Sequence, residues 1–179
     1  MTEENFSLDQ LNTLLQGEYA PNLPANDKMV DFGLEALSQS SIGMSLVMFV
    51  RNNDLQVKVI QSPQETTYAA DDKHAVISLS ANHPAQPPRF LLLLTAAIRD
   101  VMQIHEGLPR PAYSGNMDDI LEIVRKKQGD KAAYMCAVAY ELNEISSFTE
   151  YNMLEELRNM GYSKDVDVFL QSMKADENQ

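Results

Sequence analysis

The residues able to carry chemistry are few in this 179-residue chain, and they form no complete catalytic set. The histidines are His74, His83 and His105. His105-Glu106 supplies half of a His-Glu-x-x-His zinc spacing, in which two imidazoles four residues apart share a helix face and the glutamate activates a water. Pro109 occupies the place of the second imidazole, and Glu106-Gly107 reads as a helix end. His74 beside Asp71 and Asp72 is explained by a hairpin turn without a metal. The single cysteine, Cys136, sits in an apolar helical run with no basic neighbour on its face, which predicts a buried, inert thiol. Gly-x-Ser-x-Gly is absent, and seven scattered glycines build no phosphate-cradling loop. No catalytic residue is assigned, and no cofactor is expected.

The element that must position these residues is the stretch 87–106, PPRFLLLLTAAIRDVMQIHE. Two prolines open it, tolerated in a first helical turn. Phe90, Leu93, Leu94, Ala97, Ile98 and Val101 recur at helical spacing, and Leu91 with Leu92 widens the stripe, so a helix covered on most sides is expected. It is too short and too soon charged, at Arg99 and Asp100, to span a membrane.

Before it, the sequence predicts a first helix begun at a Ser7–Gln10 capping box, a loop over 20–26, a second helix over 27–39 and a third through Val50. The period then changes to two. Strands are expected over 55–59, 66–70 and 74–80, joined as a small antiparallel meander with a turn at Asp71-Asp72-Lys73. After the central helix, a loop over 107–115 precedes a helix through Lys127 that Gly129 breaks. Asp130 then starts a long helix to about Phe148, and two shorter helices follow. The expected class is α+β, mainly helical with a three-stranded antiparallel sheet. The expected domains are an N-terminal helix and loop over 1–26, a single domain over 27–174 and a disordered tail over 175–179.

Fourteen basic against 26 acidic residues give a net charge of −12, which disfavours nucleic acid and an anionic membrane surface and permits a protein partner. The ten methionines are expected mainly as core filler, with Met44, Met48, Met135 and Met173 facing inward. The opening MTEENFSLDQ has neither a basic n-region nor an apolar h-region, so no signal peptide is expected and the cytoplasm is the default.

The order of strand pair, proline loop, core helix, loop and Ala-rich helix resembles a family of bacterial metallopeptidase-like, zincin-like domains of unknown function. In that family an apolar helix carries His-Glu-Leu-Arg-His followed by Gln, and a later helix opens with Asp-x-x-Ala-aromatic and continues to Glu-Leu. Here LLLLTAAIRDVMQ supplies the apolar lead with Arg99 and Gln103, and Asp130, Ala133, Tyr134 and Glu141-Leu142 fit the later helix. In this register the two histidines fall on Ala96 and Asp100, and the general base falls on Ala97. The resemblance therefore implies a zincin-like fold whose metal site has decayed. Asp100, His105 and Asp130 are the remaining candidate ligands, and a carboxylate pair suits a hard cation better than zinc; the plain alternative makes Arg99 and Asp130 ordinary polar residues that form an ion pair.

Three readings follow. The first is a catalytically inactive, metallopeptidase-like binding or scaffold protein, whose loop over 107–115 offers Arg110 and Tyr113 to a partner protein. The second is a divergent metal-dependent hydrolase using Asp100, His105 and Asp130. The third is an unrelated helical structural or assembly protein.

Overall fold

The structure, a computed structural model, describes residues 8–16, 24–108 and 116–177. The chain is mainly helical with one small sheet, as its α+β patterning predicts. Helices α1 (Leu8–Gln16), α2 (Pro24–Leu37) and α3 (Ser41–Asn52) come first. Strands β1 (Gln56–Ser62), β2 (Thr67–Ala70) and β3 (His74–Ser80) follow, then the central helix α4 (Pro87–His105). Helices α5 (Met117–Asn143), α6 (Met153–Leu157) and α7 (Ser163–Glu177) complete the chain, with a left-handed Gly161 (φ 98°) in the turn before α7. Ser7 lies outside the described residues. No helix among the described residues is long and apolar enough to cross a membrane.

Helix α4 is the axis of the core. Every residue from Phe90 to Arg99 is buried, so the doubled leucines do cover it on all sides. Leu11 and Leu15 of α1, Met29 and Leu37 of α2, Leu46 and Val47 of α3, Ile77 and Leu79 of β3, and Met135 and Leu142 of α5 belong to the same hydrophobic cluster. Gly33 of α2 is there because α4 comes close. A Cβ at that position would stand 2.8 Å from Phe90 Cε1 and 2.9 Å from Leu94 Cδ2.

The sheet is mixed, not an antiparallel meander. Its order is β1-β3-β2, with β1 parallel and β2 antiparallel to β3. The alternation in β1 fixes a face but not a neighbour. Pairing seven-residue β1 with seven-residue β3 sets Val57 beside Ala75 and Val59 beside Ile77, which aligns both apolar rows on one face. Bonds from Gln56 N to the Lys73 carbonyl and from Ala81 N to the Ser62 carbonyl extend this ladder at both ends. Four-residue β2 is held to β3 by the tight turn, where the Asp71 carboxylate accepts from the backbone N–H groups of Lys73 and His74.

Three helical expectations also change. Gly129 does not break a helix: α5 runs through it as one element, begun by the Asn116 side chain accepting from Asp118 N. A mid-helix glycine costs only about 1 kcal/mol against alanine, less than the flanking helix formers and the packed C-terminal half supply. Met44 and Met48 are 39% and 52% exposed, because the inward stripe of α3 is Gly43, Leu46, Val47 and Val50. Helix α7 reaches Glu177, into the stretch expected as a disordered tail.

Candidate functional site

The charged residues of the central helix meet α5 in two separate networks. Arg99 and Asp100 are neighbours in α4, so their side chains leave the helix about 100° apart. Each finds its own partner on α5.

The first network is centred on Arg99, whose side chain is 5% exposed. Its Nε donates to Asp130 Oδ2 at 2.7 Å. Nη1 and Nη2 donate to the two carboxylate oxygens of Glu106 at 2.7 and 3.0 Å, the paired geometry a planar guanidinium favours. Gln103 Nε2 donates to the same Asp130 oxygen at 2.8 Å and to the Lys127 carbonyl at 3.0 Å. The Tyr134 ring lies 4.3 Å under the guanidinium. Burial by itself works against the Arg99 charge, but the bonds it donates to Asp130 and Glu106 outweigh that and hold the group above its ordinary value. Burial likewise raises Asp130, and the hydrogen bonds from Arg99 and Gln103 outweigh that and hold its carboxyl below the usual range.

The second network joins Asp100 to Lys131 and Tyr68. The Tyr68 hydroxyl donates to Asp100 Oδ2 at 2.9 Å. Lys131 Nζ donates to the Tyr68 hydroxyl and stands 3.4 Å from the Asp100 carboxylate. The Lys131 side chain is 6% exposed and Asp100 29%, so the pair is partly withdrawn from water. The ammonium also lies 5.2 Å from the Tyr68 ring centroid. Burial first, and the neighbouring Asp100 carboxylate second, push the Tyr68 phenol well above its ordinary value. Tyr68 therefore stays protonated near neutrality and serves as a hydrogen-bond donor, not a base.

The sequence candidates do not converge. Asp130 is bound by Arg99, and Asp100 by Lys131 and Tyr68. His105 Nε2 lies 2.8 Å from the Asp72 carbonyl oxygen, and its ring stands edge-on to Phe49 at 5.2 Å. That imidazole ties the end of α4 to the β2–β3 turn. Among the described residues, no three His, Cys, Asp or Glu side chains cluster as metal ligands. Ala96 and Ala97 are buried and bring no donor. Arg110 and Tyr113 lie outside the described residues. Cys136 is buried, which pushes its thiol up to about 11.

Sequence reasoning missed Lys131 and Tyr68, and it read Glu106 as half of a zinc spacing at a helix end, not as the partner of Arg99. Lys131 carried a usable signal, since it stands four residues before Met135 and seven before Val138, on the buried face of α5. A lysine at such a position needs a carboxylate partner. A cleft of about 500 Å³ opens elsewhere, between the 83–86 loop and α6, lined by Glu65, His83, Arg89 and Glu156 among others. Arg89 Nε donates to Glu156 Oε1 there at 2.6 Å.

Comparison of the chain with protein-family models, with curated proteins and with solved structures finds no match.

Proposed function

We propose that this chain is a non-catalytic binding or scaffold protein, a zincin-like, metallopeptidase-like domain in which an internal ion pair stands in place of a metal. The observation that carries this reading is the Lys131 ammonium held between Asp100 and the Tyr68 hydroxyl. In the register of the resemblance, Asp100 replaces the second imidazole. A positive charge already fixed on its carboxylate repels a divalent cation and occupies the acceptor a metal would need. The general-base position is the methyl of Ala97, so no water is activated there. Asp130 is committed to Arg99 and cannot serve as a further ligand without stranding that guanidinium.

What remains is a rigid crossing of α4 and α5, pinned to the sheet through Tyr68. Its partner is a protein, because an acidic surface of net charge −12 disfavours nucleic acid and anionic lipid. A reducing, cytoplasmic setting suits the buried Cys136 thiol. Elemental analysis of the purified, untagged chain before and after chelator dialysis tests the reading. No stoichiometric metal is expected in either sample. Zinc or another transition metal at one equivalent, removed by chelator, would overturn it in favour of a divergent hydrolase.

A further inference from the structure

Helix α5 is 27 residues long, and only its C-terminal half is built into the core. Its fully buried residues begin at Lys131. From Met117 to Gly129 none is buried, although Ile120, Ile123 and Lys127 are partly covered. The side of this N-terminal half that meets its own chain is marked by a small cleft lined by Leu108, Asp119, Glu122, Ile123, Lys126 and Lys127. On the side turned away from that cleft lie Met117, Leu121 and Val124, exposed by 65%, 42% and 36%. Their spacing of four and then three makes one apolar stripe, continued by exposed Gln128.

One flank of this stripe carries an ordered pair of charges. Asp118 and Arg125 are seven residues apart, so they sit about 20° apart around the helix and on the same edge of the stripe. They are two turns apart along it, too far to pair with each other, and among the described residues neither has an ion-pair partner. We propose that this half of α5 is the interface with a second copy of the chain, packed antiparallel across a two-fold axis between Leu121 and Val124. In that arrangement Leu121 of one copy opposes Val124 of the other, and the Asp118 edge of each copy meets the Arg125 edge of its mate. The two-fold axis makes the ion pair twice. A parallel two-fold would place the two charged flanks on opposite sides of the seam, where neither pair forms, so the charge order selects antiparallel packing. The seam is about three turns long and is far smaller than a permanent interface, so the dimer is reversible, with a dissociation constant on the order of 100 μM.

Sedimentation equilibrium of the full chain, from about 10 μM to about 1 mM, brackets that value. A concentration-dependent monomer–dimer equilibrium is expected, weakened by added salt. Leu121→Glu lies on an exposed position, so the fold is retained (checked by its circular dichroism) and the dimer is lost. Asp118→Arg and Arg125→Asp each weaken the dimer by roughly tenfold, because each turns two attractions into two repulsions. The double reversal restores the dimer to within about threefold of the natural chain. A monomer over the whole range, a dimer untouched by Leu121→Glu, or a double reversal no better than the singles would each overturn the proposal. None of these readouts depends on whether the α4–α5 crossing binds a metal.

Discussion

Lys131 of α5 and Asp100 of α4 form an ion pair across the central helix crossing, with the Tyr68 hydroxyl of β2 bonded to both. The three residues tie together the sheet, the core helix and the longest helix. The lysine is nearly buried, and this carboxylate offsets the cost of withdrawing it from water.

Replacing Lys131 by Met leaves Asp100 without its cation and is expected to cost about 2 kcal/mol. The figure is held down by the partial exposure of Asp100. Tyr68→Phe removes one donor and one acceptor and is expected to cost about 1 kcal/mol. Because both act on one network, the double variant should lose clearly less than the sum. Urea unfolding with an unchanged denaturant slope measures all three. Additive losses would show that the network is not a unit.

Arg99 is the more demanding position. Arg99→Met strands Asp130 and removes the partner of Glu106, and about 3 kcal/mol of stability should go with it. Arg99→Lys should recover little, since a single ammonium cannot address Asp130 through one edge and Glu106 through two further donors. A lysine variant as stable as the natural chain would show that charge alone, without the fork, suffices.

Stability should fall at both ends of the pH scale for different reasons. The Asp130 carboxyl lies below its ordinary value of 3.8 in the folded state. Its contribution is therefore present above that value and is lost as the pH falls through the folded one. The Tyr68 phenol lies above its ordinary value of 10.0. Its contribution is complete below that value and is lost as the pH rises past it, where the unfolded chain ionises first. Melting temperatures across the pH range should show a shallower acid limb for Asp130→Asn and a shallower alkaline limb for Tyr68→Phe. Limbs identical to the natural chain would remove these groups from the account.

Two glycines should respond in opposite directions. A Cβ on Gly129 meets nothing within 4 Å, so Gly129→Ala should stabilise the continuous α5 by about 0.5–1 kcal/mol. A Cβ on Gly43 would stand 2.0 Å from the Leu37 carbonyl oxygen, which is backbone and cannot swing aside. Gly43→Ala should therefore cost at least about 2 kcal/mol. Thermal unfolding of the two variants decides this, and a destabilised Gly129→Ala would show that the helix does need a break there.

The fold was legible wherever a period was long and one-sided. The leucines of α4 fixed its type, its burial and its extent to His105. The strands were legible as strands, but alternation is the same for parallel and antiparallel neighbours. The position of β3 between β1 and β2 came from matched strand lengths and the short Asp71–Lys73 turn. Gly129 misled because local propensity is weak against packing of the Lys131–Leu142 half. The site was legible in its carboxylates and in one pairing, Arg99 with Asp130, but not in the pairing of Asp100 with Lys131. Which acid meets which cation depends on the angle at which α5 crosses α4, and spacing along one helix does not encode that angle. Asp130 and Asp100 looked like a pair of ligands, and the crossing gives each a cation of its own.

The most direct test of the account is the melting temperature of the natural chain measured against added Zn²⁺, Mg²⁺ and chelator. A ligand that binds only the folded chain raises stability with the logarithm of its concentration. The account predicts a melting temperature unmoved by any of the three, because Lys131 already neutralises Asp100 and Arg99 already holds Asp130. A rise that grows with Zn²⁺ or Mg²⁺, is reversed by chelator and vanishes in Asp100→Ala would contradict it and place a metal at the crossing of α4 and α5.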